Sequence, residues 1–237
     1  GYSRILRERE VLADDTRGLR DRGRAEFERL DAEMTILARE ATGNPDYVAV
    51  LRADDGNHPP TEQAMLETYA AWTEQARAFL VETGLVTLPE GETCAVVPSP
   101  VFQRPVLGVA SYVAPPAFSD RWKGHFFVPF APDGASEAEI QSRLSGNSYS
   151  HIPDTSVHEA YPGHHWHLVM RKANPSDVRR AYSTPYFSEG WALYAERMMR
   201  ERGFFTSPLH ELQVLNSTLF RAARIIVDTS LHLGEMT

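Results

Sequence analysis

The chain has 237 residues, of which 42% are hydrophobic and 24% are charged, as is usual for a globular protein with a sizeable core. Its formal charge of −8 argues against nucleic acid as a partner. No apolar run approaches the ~18 residues of a membrane span, and a single cysteine excludes an internal disulfide. One lone thiol fits a reducing compartment, so the cytoplasm is slightly favoured, but the localisation is otherwise undetermined.

The first 84 residues are predicted to be helical. Leu30, Met34 and their neighbours recur at helical spacing within residues 1–42, which indicates one or two amphipathic helices. A further helix is predicted to begin at Thr61, after two prolines, and to end at Gly84.

From residue 85 the sequence changes character. ETCAVVPSP, RPVLGVASYVAPP and KGHFFVPF are short, rich in β-branched or aromatic residues, and bounded by proline or glycine. These features predict the strands of a small sheet. The strand GHFFVPF is either an edge to which an extended peptide adds or an ordinary hydrophobic strand. Helical patterns return from Ser136 onward, so we expect a predominantly helical α+β protein, with segments 1–84 and 85–237 forming one continuous domain.

Both ends of the sequence look internal to a longer polypeptide. The chain opens without a methionine on GYSRILRERE, already in a helical pattern, and it stops on LHLGEMT just after an apolar run. We therefore expect a fragment of a longer protein, in which case the missing signal peptide carries no information.

The stretch SVHEAYPGHHWH, residues 156–167, begins like the zinc-peptidase signature H-E-x-x-H. In that signature two histidines share one helix face, and the glutamate acts as general base toward the zinc-bound water. His158 and Glu159 supply the first half here, but the residue four positions after His158 is Pro162. The second ligand must be His164 or His165. The alternative is a histidine-rich surface helix without a metal.

Pro162 decides whether the altered spacing still allows a metal site. On an ideal helix the sixth residue after His158 lies about 240° around the axis, on the wrong face. Pro162 has no N–H for the carbonyl of His158, so the helix must widen or kink, and Gly163 tolerates the resulting torsion. A bulge that absorbs two residues would bring His164 to the usual place of the second ligand.

The third ligand is expected from the following helix. A catalytic zinc needs about three protein ligands, often two histidines and a carboxylate. Glu189 and Glu196 lie one heptad apart in YFSEGWALYAE. Either can therefore bind the metal while the other orients one of the metal ligands by a hydrogen bond. We favour Glu189. One zinc ion is preferred over manganese or iron, although such sites accept several metals.

Three motifs together are similar to those of the DUF885 family of bacterial proteins: HEAYPGHHWH, YFSEGWALYAE and FRAARIIVDTSLH. That family is grouped by similarity with gluzincin-type metallopeptidases, and its pattern H-E-x-x-P-G-H matches residues 158–164. The resemblance implies a zincin-like core. It also implies the roles of four residues: His158, His164 and Glu189 as metal ligands, and Glu159 as general base. Members are usually much longer than this chain, which agrees with the expected fragment.

A peptidase also needs a donor for the oxyanion of the tetrahedral intermediate. The candidates are His232, Arg224 and Tyr149, of which we favour His232. Each also has an ordinary structural interpretation. Arg224, for example, lies four residues before Asp228 and can form an ion pair with it.

The sequence thus predicts a zinc-dependent hydrolase, most readily a metallopeptidase that cleaves peptide or small amide bonds with Glu159 as general base. Two alternatives remain. One is a metal-dependent hydrolase or lyase acting on a non-peptide metabolite, and the other is a non-catalytic domain that a metal stabilises. The substrate, exo- or endo-action and the oligomeric state are not indicated.

Overall fold

The computed structural model describes the whole chain, residues 1–237. Helices account for 59% of the residues and the strands form one small mixed sheet, which confirms a predominantly helical α+β fold. None of the helices is both long enough and apolar enough to cross a membrane. The helices are α1 Tyr2–Glu8, α2 Thr16–Thr42, α3 Tyr47–Asp54, α4 Glu62–Thr83, α5 Glu137–Ser145, α6 Ile152–Glu159, α7 His164–Lys172, α8 Asp177–Ala181, α9 Pro185–Glu201 and α10 Pro208–Leu233.

The three strands all fall within the segments predicted from sequence: β1 Thr93–Pro98, β2 Ser111–Val113 and β3 Lys123–Val128. Their order is β1-β3-β2, with β3 parallel to β1 and antiparallel to β2. Phe126 of β3 pairs with Val96 on one side and with Tyr112 on the other. The suggestion that GHFFVPF forms an edge is therefore wrong, because β3 is the central strand and the short β2 forms the edge beside it.

The ends of α4 follow from local side-chain chemistry. The hydroxyl of Thr61 accepts a hydrogen bond from the backbone N–H of Ala64, which satisfies one of the free donors in the first turn. Gly84 follows the last turn with φ of 62°, a left-handed conformation that glycine adopts without steric cost. The predicted beginning and end of this helix are confirmed.

The chain divides into two compact units, and each is described by itself. The first comprises Gly1–Val50 and Glu211–Thr237. The second comprises Leu51–His210 and contains the sheet together with α4 through α9. The sequence-based boundary at residue 84 falls inside the second unit, at the end of α4.

In the first unit, α10 is held by both N-terminal helices. The hydroxyl of Tyr2 in α1 donates a 2.6 Å hydrogen bond to Asp228 of α10. Gly23 of α2 faces Ile225 so closely that a Cβ atom at residue 23 would lie 2.8 Å from its Cγ2 atom. The absence of a side chain at Gly23 therefore sets how near these two helices pack.

In the second unit, α4 forms the central support. Its residues Met65, Tyr69 and Leu80 are fully buried, and the ring of Tyr69 meets Phe126 of β3 edge-on at 5.4 Å. Burial of each such side chain contributes about 1.5–3 kcal/mol. Helix α4 packs against α6 and β1, and α9 packs against both α6 and α7. This packing brings together the three helices that carry the predicted metal ligands.

Candidate metal centre

The predicted helix over HEAYPGHHWH is broken into two. Helix α6 ends at Glu159, α7 begins at His164, and the segment 160–163 between them contains a cis Tyr161–Pro162 peptide bond. We expected Pro162 to widen or kink a continuous helix, but the structure shows a complete interruption. The break, rather than a bulge, accounts for the extra residues in the motif.

Gly163 allows the two helices to meet at the break. Its N–H donates a 3.0 Å hydrogen bond to the carbonyl of Val157, and the N–H of Trp166 donates to the carbonyl of Ala160. A Cβ atom at residue 163 would lie 1.9 Å from the carbonyl oxygen of His158 and 2.3 Å from that of Val157. No side chain fits there, so glycine is required by close backbone approach.

The break brings His158 of α6 and His164 of α7 to face the same carboxylate. His158 Nε2 lies 3.6 Å from one oxygen of Glu189, and His164 Nε2 lies 3.6 Å from the other. The three potential ligand atoms all lie within 4.8 Å of one another. Both histidine side chains are nearly buried, whereas the side chain of Glu189 is 61% exposed, so the group is open to solvent on the side of α9.

Glu196, two turns further along α9, contacts the second ring nitrogen of His158, Nδ1. Its carboxylate is buried and lies 2.5 Å from His158 Nδ1. Because a carboxylate can only accept, Nδ1 carries the hydrogen and Nε2 is turned toward Glu189. Glu196 is thus placed as the orienting partner and Glu189 as the candidate ligand, as the sequence suggested.

The electrostatics of this group favour a cation. Burial alone would lower the pKa of His158, but the contacts with Glu189 and Glu196 outweigh it and raise the pKa to about 10. The pKa of Glu189 is lowered, mainly by His158 and then by His164. At neutral pH the His158 ring therefore carries a second proton, on the Nε2 atom that faces Glu189, and a divalent cation bound there would replace that proton.

His165 does not join this group. Its ring is fully buried, with Nε2 2.6 Å from Glu92 and Nδ1 2.8 Å from the hydroxyl of Tyr112. Both ring nitrogens are therefore engaged, whereas His164 faces Glu189. The structure places the second candidate ligand at His164, the residue that the sequence favoured, and metal binding itself stays a prediction.

Glu159, the predicted general base, is the last residue of α6 and is buried. Its negative charge helps to raise the pKa of His158. The pKa of the Cys94 thiol is raised mainly by burial, and the charge of Glu159 adds to that effect. Glu159 directly follows His158 in the chain, so its charge lies near that histidine. Its role as general base stays a prediction.

The predicted oxyanion donors lie in different parts of the chain. His232 belongs to the first unit, where its ring stacks on Tyr2 at 4.4 Å and its Nε2 atom lies 3.7 Å from Asp228. Arg224 belongs to the same unit and lies over the ring of Phe220. Tyr149 belongs to the second unit, as do the candidate ligands. The catalytic role of His232 stays a prediction from the sequence.

Sequence reasoning missed Glu92, a buried residue just before β1. One of its carboxylate oxygens lies 2.6 Å from both the Tyr161 hydroxyl and His165 Nε2, and the other lies 3.1 Å from Arg77 Nε. Burial raises the pKa of Glu92, but the hydrogen bonds from His165, Tyr161 and Arg77 outweigh it and lower the pKa overall. The only signal in the sequence is a charged residue directly ahead of an apolar strand.

The fold and the site together define a helical α+β protein with a candidate metal centre of two histidines and one carboxylate. The family model described as "Bacterial protein of unknown function (DUF885)" matches residues 2–237, so the chain belongs to the DUF885 family. Among solved structures it is similar to "the putative lipoprotein from Colwellia psychrerythraea", with 21% identity and a TM-score of 0.82. That match covers 100% of this chain and 40% of the other, and it shows the fold alone. No curated protein matched the chain.

Replacing Gly163 with alanine should strongly destabilise the protein. The added methyl group would overlap two backbone carbonyls, which we expect to cost roughly 3 kcal/mol and to lower the Tm by about 6–12 °C. Gly190→Ala is the matched control, because nothing lies within 4 Å of a Cβ atom at that exposed position of α9. It should stabilise the helix by about 0.5–1 kcal/mol. Equal Tm values for the two variants would contradict the close approach at Gly163.

Protonation of Glu92 should make the protein less stable in acid. Because its pKa in the folded state is lowered from the ordinary 4.5, its stabilising effect is complete above about pH 4.5. The effect is lost as the pH falls through the folded-state pKa, since the unfolded chain then binds the proton more tightly. Urea unfolding between about pH 6 and pH 3 should show a shallower decline in the free energy of unfolding for Glu92→Gln than for the wild type. Parallel declines would argue against this role.

Proposed function

We propose that this protein is a zinc-dependent hydrolase with a zincin-like core, and that it acts as a metallopeptidase on peptide or small amide bonds. The observation that carries the proposal is the convergence of His158, His164 and Glu189 from three helices. Two histidines and one carboxylate are the ligands of many catalytic zinc sites. The chain spans 40% of the solved structure it matches, so the activity and substrates of the whole protein belong to the proposal.

The spacing of the three residues suits a metal better than a direct hydrogen bond. Two atoms that each lie about 2.1 Å from one tetrahedral ion are about 3.4 Å apart. The two distances of 3.6 Å, which join the histidines to different oxygens of Glu189, are close to that value and exceed an ordinary hydrogen bond. With one oxygen of Glu189, the three ligand atoms lie within 4.8 Å of one another. Small side-chain movements would bring the ligand atoms onto a common ion.

The orientation of His158 also fits a metal ligand. Glu196 fixes its Nδ1–H, which selects the tautomer and directs Nε2 into the group. A histidine that binds metal usually has such a partner on its second nitrogen. The buried Glu196 thus supplies an arrangement that chance clusters of exposed acids and histidines lack.

Each of these residues has a proposed role in the reaction. When bound, zinc polarises the scissile carbonyl and increases the acidity of the attacking water. Glu159 would take the proton of the water as the new C–O bond forms, and would then pass it to the amine nitrogen as the tetrahedral intermediate collapses and the C–N bond breaks. Glu189 contributes its negative charge on the open side, where a substrate can approach. His232 remains the candidate oxyanion donor on sequence grounds.

A catalytic role is favoured over a purely structural metal site by the number of ligands. Structural zinc sites usually have four protein ligands, whereas three ligands leave a position open for water or substrate. The exposure of Glu189 agrees with an open position. The preference for a peptide over a non-peptide substrate rests on the family resemblance, and a screen of both substrate classes decides between them.

The proposal is tested by zinc content and hydrolysis in the full-length protein. The wild type should bind one zinc ion per chain and cleave members of a peptide library. Glu159→Gln should keep the zinc but lose about 10²–10⁴-fold in kcat/KM, because only the proton transfer is removed. His158→Ala should lose the zinc as well. Zinc content is measured by elemental analysis after dialysis.

His125→Ala is the matched histidine control, since His125 lies in β3 and stacks on Phe127 outside the candidate centre. It should keep both zinc and activity. Full activity of Glu159→Gln would exclude that residue as the base, and a wild type without zinc would exclude the site. Activity on small non-peptide amides or esters alone would favour the metabolite alternative.

A further inference from the structure

We infer that Glu92 is the positioning residue of the candidate metal centre, because it ties the helix break that sets His158 opposite His164 to the first turn of α7. This inference rests on the proposed function and extends it to residues that bind no metal themselves. We call Glu92, Tyr161, His165, Arg77 and Tyr112 the Glu92 cluster.

A single oxygen atom of Glu92 joins the break to the first turn of α7. The hydroxyl of Tyr161, inside the break, donates a 2.6 Å hydrogen bond to Oε2. Nε2 of His165, after the break, lies 2.6 Å from the same oxygen and must be the donor. The rings of Tyr161 and His165 also meet edge-on at 4.9 Å. The three residues between them, which include His164, are therefore enclosed by one buried hydrogen-bonded bridge.

The rest of the cluster fixes the bridge to the sheet and to α4. The second oxygen of Glu92 accepts from Arg77 of α4, and Tyr112 of β2 lies 2.8 Å from the other nitrogen of His165. Gly124 of β3 makes room for this contact. A Cβ atom at residue 124 would lie 2.0 Å from the Tyr112 hydroxyl oxygen and 2.8 Å from His165 Nδ1.

The position of His164 depends on this cluster because His165 is its direct neighbour. Successive residues of a helix point about 100° apart, so a fixed ring at His165 determines the direction in which His164 leaves the first turn of α7. On the opposite side, the indole N–H of Trp191 in α9 donates a 2.8 Å hydrogen bond to the carbonyl of Pro162. The break is thus held from the sheet by Glu92 and from α9 by Trp191.

Two tyrosines of the second unit provide a matched test. Tyr161→Phe removes a buried hydroxyl that binds Glu92, and Tyr69→Phe removes a buried hydroxyl that binds Asn147 at 2.5 Å. Both variants lose one buried hydrogen bond, and Tyr161→Phe should lose somewhat more thermal stability because its partner is a carboxylate. Only Tyr161→Phe should weaken zinc binding, by about tenfold, in competition with a chelating dye. Glu92→Gln should weaken it by about 10–100-fold.

The outcomes separate the role of the Glu92 cluster from the proposed function. If the wild type binds zinc and Tyr161→Phe binds it as tightly as Tyr69→Phe does, the Glu92 cluster is only structural and the inference is overturned. If the wild type binds no zinc, the inference and the proposed function both fail. The tyrosine pair decides the question even if Glu92→Gln does not fold, because both phenylalanine variants keep the carboxylate.

Discussion

The close approach of Gly163 to the carbonyl oxygens of Val157 and His158 is the constraint on which the candidate centre depends. A continuous helix would direct residues 158 and 164 to different faces. Ending α6 at Glu159 and restarting the chain as α7 removes that restriction, and only glycine leaves enough space at the junction. The two histidines can then face one carboxylate on α9, which neither helix could arrange alone.

Charge and burial make the same arrangement chemically specific. His158 lies between Glu189 and the buried Glu196, which raise its pKa to about 10 despite the opposing effect of burial. A buried positive charge is expensive unless it is paired, so the two carboxylates favour a cation at this position. Glu92 accepts a hydrogen bond from His165, the neighbour of His164 in α7. The adjacent histidines are thereby separated into one that faces the centre and one that supports it.

The sequence predicted those features that arise from local patterns. The beginning and end of α4, the three strand segments and the α+β class follow from caps, prolines and residue preferences within short stretches. The place of β3 at the centre of the sheet was missed, because strand order depends on pairing between distant segments. Glu92 was missed for the same reason: 69 positions separate it from Tyr161, and no periodic pattern links them. The motif predicted a distorted helix, but the full break requires the backbone contacts at Gly163.

The proposed metal site is tested most directly by a crystal structure of the zinc-loaded protein, with diffraction data collected at the zinc absorption edge. One strong anomalous peak should lie about 2.0–2.2 Å from Nε2 of His158, Nε2 of His164 and a carboxylate oxygen of Glu189. His165 should remain on Glu92 in that structure. A zinc peak on His165 and Glu92, or peaks only at scattered surface histidines, would contradict the proposed site.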